Sequence, residues 1–278
     1  MSEDRAEKLN LLLQALPEGL LVDAQWLERR GIYPSLRNRY VASGWLEQPA
    51  RGVYWRPRGS LRWQQVVTSL QTILAWPVVA GGRTALEMEG YAHYLPQTRE
   101  QVHLYGSRPL PGWTGKLPLN TQFVFHNSRR LFPDDPDERG VLSLDAGKED
   151  AAARGRSDLK LQTWGQWDWP LALSTPERAC LELLDELPDR ESFEQVDKLF
   201  ESLAGLRPRR LQDLLTRCRS IKVKRLFFFF ADRHRHAWRK HLDKDKVDLG
   251  KGKRMLVKGG RLDPVYQITV PEDLYALQ

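Results

Sequence analysis

Leu9, Leu12, Leu13 and Leu16 follow the i, i+3, i+4, i+7 spacing of one helical face, which predicts a helix over residues 6–16 that Pro17 and Gly19 stop. A second helix follows Asp23, a good N-cap, with Trp26 and Leu27 on one face and Gly31 as its end signal. Pro34 suits the first position of a third short helix, ended by Gly44. On it Leu36 and Tyr40 turn inward at i, i+4. Ser35, Asn38 and Ala42 turn outward, flanked by Arg37 and Arg39. After Gly44 the period changes: Trp45-Leu46-Glu47 and Val53-Tyr54-Trp55 read as two short strands around a turn at residues 48–52. Three helices and a two-stranded ribbon make a winged helix. Its third helix enters a DNA major groove and its ribbon touches the backbone or minor groove.

Residues 61–74 form another amphipathic helix, and "GGRTALEMEGYAHYL" (81–95) opens on a Gly-Gly turn before a helix. A phosphate loop is not expected there, because G-x-x-x-x-G-K-[ST] is missing. Strand-like pieces then dominate: "QVHLYGS", "TQFVFHN", "LKLQTW" and "LALS", with a polar surface loop at 134–157. "STPERACLELLDELP" starts a helical end at Thr175-Pro176, continued by helices at 193–203, 209–218 and about 221–242. The run Phe227–Phe230 covers every side of a helix, so that helix belongs at the centre of a core. "RMLVK" and "VYQITV" close the chain as two strands.

Composition changes this picture mainly through charge. The chain of 278 residues carries a net +7, which favours an anionic partner. Residues 29–58 hold seven basic residues against one acid, and residues 207–261 hold nineteen against five. Residues 175–204 are acidic by nine to three. In the predicted third helix and wing, Asn38 suits adenine and an arginine suits guanine by bidentate geometry. The DNA-binding candidates are therefore Ser35, Arg37, Asn38, Arg39 and Arg51. The alternative is a winged helix used for protein contacts, with its arginines solvated. No apolar run is long enough to span a bilayer, the start MSEDRAEKLN shows no signal peptide, and Cys180 and Cys218 match no metal or disulfide spacing. Two reduced core thiols and a cytoplasmic protein without membrane association are the expectation.

"LEQPARGVYWRP", "GGRTALEMEGYAHYL" and "STPERACLELLDELP", in this order, resemble the AbiEi antitoxin family of type IV toxin–antitoxin systems, over nearly the whole chain. The resemblance implies an α+β protein: an N-terminal winged helix-turn-helix followed by a mixed α+β antitoxin domain. The division expected is 1–95, with the winged helix proper at 1–58 and a helical extension, then 96–278. It implies a repressor of its own operon, bound at inverted repeats in the promoter. It also implies a counterpart of an AbiEii-like nucleotidyltransferase toxin, opposed without a stable complex. The DNA-binding role carries over to Arg37, Asn38, Arg39 and Arg51. For antitoxin activity the basic helices suggest a surface at Arg209, Arg210, Arg217, Lys222, Lys224 and Arg225.

Rival chemistries are few. Pro133-Asp134 with Asp158-Leu159-Lys160 has the look of a PD-(D/E)xK nuclease site, against the plainer reading of an alternating strand. His234, His236 and His241 do not share one helical face, and no cysteine or carboxylate cluster completes a metal set. "YGSRPLPGW" has the Gly-Ser turn of a nucleotidyltransferase without its aspartates. No cofactor, metal or catalytic residue is expected. The reading is an antitoxin and not an enzyme, with a toxin-free DNA-binding regulator and the metal-dependent nuclease as alternatives.

Overall fold

The computed structural model describes residues 3–91, 100–133, 158–166 and 168–276, so the predicted loop at 134–157 lies outside the described residues. Helix α1 (Glu3–Ala15) leads through Pro17 and Gly19 into strand β1 (Leu21–Asp23). Asp23 caps α2 (Ala24–Glu28), its carboxylate accepting from Trp26 N at 2.7 Å. Helix α3 (Pro34–Ala42) carries proline in its first turn, and Gly44 beyond it has φ +76. β2 (Glu47–Ala50) and β3 (Val53–Trp55) form the ribbon, and β1 joins it in the order β1-β3-β2. The sequence reading placed the first ribbon strand at Trp45–Glu47. Leu46 instead turns into the core at 0% exposure, and pairing starts at Glu47, opposite Trp55. β1 was not expected, since three residues are too few to show a period.

Leu12, Leu16, Leu20, Trp26, Leu27, Ile32, Tyr40 and Leu46 form the core of this head, together with Trp169 from far along the chain. Leu21, Val53 and Trp55 face the other way, into the larger core of the body. Leu21 N also donates to Ser69 Oγ at 3.0 Å, across the same junction. Helix α4 (Trp63–Thr72) fills that junction with Val66, Val67 and Leu70, each fully buried.

The body is built on a five-stranded mixed sheet, β6-β5-β4-β8-β7. Its strands are β4 (Val78–Ala80), β5 (Glu100–Gly106), β6 (Thr121–Asn127), β7 (Leu159–Trp164) and β8 (Trp169–Ser174). β4 pairs antiparallel with β5 and parallel with β8. The expected division at residue 95 therefore falls between two paired strands of one sheet. Period-2 alternation sorts its side chains. Val78, Ala80, Val102, Leu104, Leu171 and Leu173 enter the main core, whereas Val79, Tyr105 and Ala172 form a smaller cluster.

Helices α5 (Gly82–Met88), α6 (Pro176–Asp185), α7 (Phe193–Ser202), α8 (Pro208–Arg217) and α9 (Ile221–His234) complete the body. In α9, Phe227, Phe228 and Phe230 are fully buried and Phe229 is nearly so, as a four-sided phenylalanine run requires. The helix stops at Arg235, at φ +50, eight residues earlier than expected. A 3-10 turn (Ala237–His241) then folds Trp238 back onto Phe227, with its indole N–H on Leu203 O at 2.8 Å. Burying that ring outweighs continuing the helix. "RMLVK" makes only an isolated bridge, Arg254 to Ile268; the terminal pair is β9 (Arg261–Leu262) with β10 (Thr269–Val270).

Candidate nucleic-acid interface

Helix α3 sorts its residues by phase. Ser35, Asn38, Arg39 and Ala42, at i, i+3, i+4, i+7, are all exposed. Arg37 and Tyr40, three apart, are 6% and 5% exposed and face inward. The Arg37 guanidinium donates to Ala24 O and to Glu28 Oε1, both at 3.0 Å, and so ties α3 to the start and end of α2. This corrects the candidate set: Arg37 is turned inward and holds the helix in place. One turn inside the exposed stripe, its phase is set by Tyr40.

The wing makes the same division. Arg51 is exposed at the β2–β3 turn, beside Gly52 at φ +79. Neither Arg51 nor Arg39 has a carboxylate partner among the described residues. Arg56 instead donates to Leu13 O at 3.0 Å and Leu16 O at 2.9 Å, capping the open carbonyls at the end of α1, and pairs with Glu18. Arg58 pairs with the same Glu18 at 2.7 Å. Sequence reasoning missed the edges of this face. Tyr33, at the N-cap of α3, is 61% exposed and Trp45 is 44% exposed. Arg30 lies 3.6 Å from the centre of the Trp26 ring. The signal was present, since an aromatic next to a helix-ending glycine has no obligation to be core.

The head is thus a helix, a turn, a helix and a three-stranded wing with outward polar side chains. A family model described as the AbiEi antitoxin N-terminal domain of a transcriptional regulator matches residues 5–97. A second, described as a transcriptional regulator and AbiEi antitoxin of a type IV toxin–antitoxin system, matches residues 99–271. The chain belongs to the AbiEi family. The crystal structure of the RV2827C protein from Mycobacterium tuberculosis is similar to this AbiEi chain over 99% of its length and 94% of that chain, with TM-score 0.56 and 16% identity. At that identity the likeness concerns the fold alone. Curated protein sequences give no significant match.

The stretches "GGRTALEMEGYAHYL" and "STPERACLELLDELP" of the body meet in one buried node. Glu182, 1% exposed, accepts from Arg178 Nε at 2.8 Å, Ser174 Oγ at 3.0 Å and Gly82 N at 2.9 Å. A Cβ on Gly81 would stand 2.3 Å from Glu182 Oε2 and 2.6 Å from Tyr105, so only glycine admits the carboxylate. The Gly-Gly turn holds a protein carboxylate, not a phosphate.

Next to this node a second chain of polar groups runs through the sheet. His126 Nδ1 lies 3.0 Å from Glu186 Oε1, and its Nε2 lies 3.0 Å from His103 Nδ1. These three are the candidate metal cluster among the described residues. The two imidazoles are 5° from parallel with centroids 5.2 Å apart, so their nitrogens meet head to head. An ion held in line by two Zn–N bonds needs about 4 Å there, whereas a shared proton needs about 3 Å. The cluster is a hydrogen-bond relay. Burial first, then the neighbouring His126, pushes His103 down to about 4. Burial works to raise Glu186, but the hydrogen bond from His126 and the charge of Arg190 hold it below the usual carboxylate range.

The two described nuclease candidates are each engaged elsewhere. Asp158 is 4% exposed and paired with Arg217, while Lys160 pairs with Glu89 at 2.6 Å; Asp134 lies outside the described residues. The three histidines take different roles: His234 binds Asp197, His236 binds Phe200 O with its ring stacked 6.0 Å from that of His234, and His241 is exposed.

Two of the six residues of the expected antitoxin surface, Lys224 and Arg225, are buried, a second correction, and two more are engaged at its edge. Arg225, 3% exposed, donates to Leu249 O, Gly252 O and Gln267 O. Lys224 is 4% exposed. Lys222 donates to Asp185 O and Leu187 O, at 2.5 and 2.8 Å, at the end of α6. Arg217 joins Asp158 and Asp213. Arg209 is exposed and Arg210 half-buried on α8. Open carbonyls at helix and loop ends recruit these cations, which charge counting along a sequence does not register.

Proposed function

We propose that this chain represses its own operon by docking α3 in the major groove of promoter inverted repeats, with the Arg51 wing on the flanking backbone. The observation that carries the reading is the exposed set Ser35, Asn38, Arg39 and Arg51, whose two arginines have no carboxylate partner among the described residues while Arg37, Arg56 and Arg58 have one. The side chains that remain are a bidentate reader of adenine, one of guanine, and a phosphate contact. The chain also counteracts a nucleotidyltransferase-like toxin, without a stable complex, through the body beyond about residue 97, where Arg209 and Arg210 are the candidates left on the surface. Cytoplasmic action follows from a DNA target, and no described helix is long and apolar enough to cross a membrane.

A mobility-shift titration on the upstream region, at two salt concentrations, tests repression. Arg39→Ala or Asn38→Ala should cost roughly 1–3 kcal/mol and relax sequence preference. Equal operator binding by wild type and an Asn38/Arg39 double alanine variant that folds normally overturns the assignment. Co-expression of the full-length Arg209/Arg210 double glutamate variant with the adjacent toxin tests the antitoxin part. Loss of rescue with operator binding retained supports it, and intact rescue removes α8 from the working surface.

A further inference from the structure

A cleft of about 360 Å³ opens where the winged helix meets the β7–β8 hairpin. Small-molecule sites begin at roughly this size. Trp169, 8% exposed, forms one wall and packs on its other side into the core of the head. Trp164 stands beside it, ring centroids 6.0 Å apart. At Gly19, φ +84, a Cβ would meet both Gln65 Nε2 and Trp169 Cη2 at 2.9 Å, so the backbone itself lines the opening.

The polar groups on these walls are donors. Gln65 is 5% exposed; its Oε1 accepts from Arg62 N at 2.6 Å, and its Nε2 has no acceptor among the described residues. The exposed Arg62 guanidinium has no carboxylate partner among them either. Arg58 donates to Glu18 on the head. The Gln166 amide, assigned with its oxygen toward Arg58, accepts from Nε at 2.8 Å and Nη2 at 3.2 Å on the hairpin side. No Asp or Glu is among the residues that line the cleft. Donors that face the opening, Arg62 and Gln65 Nε2, with no acceptor among the described residues suit an anion, and two indole faces suit a flat ring. Neither feature serves the DNA-reading stripe on α3.

We propose that this cleft binds a nucleotide, its phosphate at Arg62 and Gln65 Nε2 and its base against Trp164. The reading does not depend on the operator or on a toxin. The bound molecule would touch both the head and the hairpin, and its phosphate would compete with Gln166 for Arg58.

Isothermal titration of the full chain with ATP, GTP, CTP and UTP tests it, with inorganic phosphate, tripolyphosphate and adenosine as separate arms. At least one nucleoside triphosphate should bind with Kd below about 1 mM. Arg62→Gln and Trp164→Leu should each weaken it about tenfold. Both lie at the cleft surface, and an unchanged thermal midpoint shows that the variants fold. Binding of tripolyphosphate as tight as of any nucleotide reduces the cleft to an anion site and overturns the proposal. So does binding by adenosine alone as tight as by ATP, equal nucleotide binding by wild type and both variants, or no binding in any arm.

Discussion

In the winged-helix head, Arg39 and Arg51 stand exposed without a carboxylate partner among the described residues. From α8 onward, Arg217, Lys222 and Arg225 are instead drawn into the fold by carboxylates and open carbonyls. Both stretches are strongly basic in sequence and both leave cations exposed, among them Arg209, Arg219 and Lys251 in the body, but the body also draws several of its cations inward. The difference comes from what lies next to each cation. The first helices leave few orphan carbonyls, and Arg56 answers those at the end of α1. The body ends helices and loops inside the molecule, so a lysine or arginine there satisfies backbone oxygen that water cannot reach. Positive charge in a sequence window thus does not separate cations that a fold uses internally from those that it presents.

The sharpest break between the two regions is at Glu182, the carboxylate that joins Arg178, Ser174 and Gly82. Glu182→Ala leaves a buried guanidinium without its anion and should cost about 3–5 kcal/mol in urea unfolding. Arg39→Ala on the head should leave unfolding within about 0.5 kcal/mol of wild type. A Glu182 variant as stable as the Arg39 variant would end the distinction between internal and presented charge.

A pH series probes the body next. With His103 held near 4 in the fold against 6.5 unfolded, its neutral form is bound to the folded state. The unfolded chain takes up the proton first as pH falls. Stability is therefore full above about 6.5 and is lost through the window down to about 4, by roughly 2–3 kcal/mol. Glu87, raised to about 7 chiefly by burial, works the other way: its contribution is present below about 4.5 and lost as pH rises through 7. Unfolding curves at pH 7, 5.5 and 4.5 should show a flatter acid limb in His103→Gln. An identical limb would take His103 out of the account.

Within the head itself, Arg37→Ala should lower stability by about 1–3 kcal/mol by freeing Glu28 and Ala24 O, with sequence preference on DNA unchanged. Arg39→Ala should do the reverse. The smallest effect belongs to Arg51: its alanine variant should weaken all DNA sequences alike and lower the salt slope by about one unit. A sequence-dependent loss would move Arg51 from backbone to bases.

These contrasts mark what the residues disclose before any fold is known. Pro34, Gly44 and Asp23 place α2 and α3 because caps and breakers act locally, and Phe227–Phe230 announces a central helix because no face of it is polar. The strands β1 and β4 are three residues each, shorter than a period needs. Arg37 and Arg39 have the same chemistry and differ by 200° of helical phase, and the partner that captures Arg37 sits on another helix. For Arg225 the deciding carbonyls lie 24 to 42 residues downstream. The His103–His126–Glu186 relay combines two strands and a helix end, with no local motif at all. What was hidden is, in each case, a partner supplied by tertiary contact.

Leu21, Val53 and Trp55 of the head belong to the core of the body, and Trp169 of the body belongs to the core of the head. A cut after residue 58 would expose both sets, so neither piece is a natural product of proteolysis that keeps working. Under the proposed function this joins two lifetimes. A protease that captures one unfolded copy removes a promoter block and a dose of antidote together. Fresh transcription then begins in the same event that created the need for it.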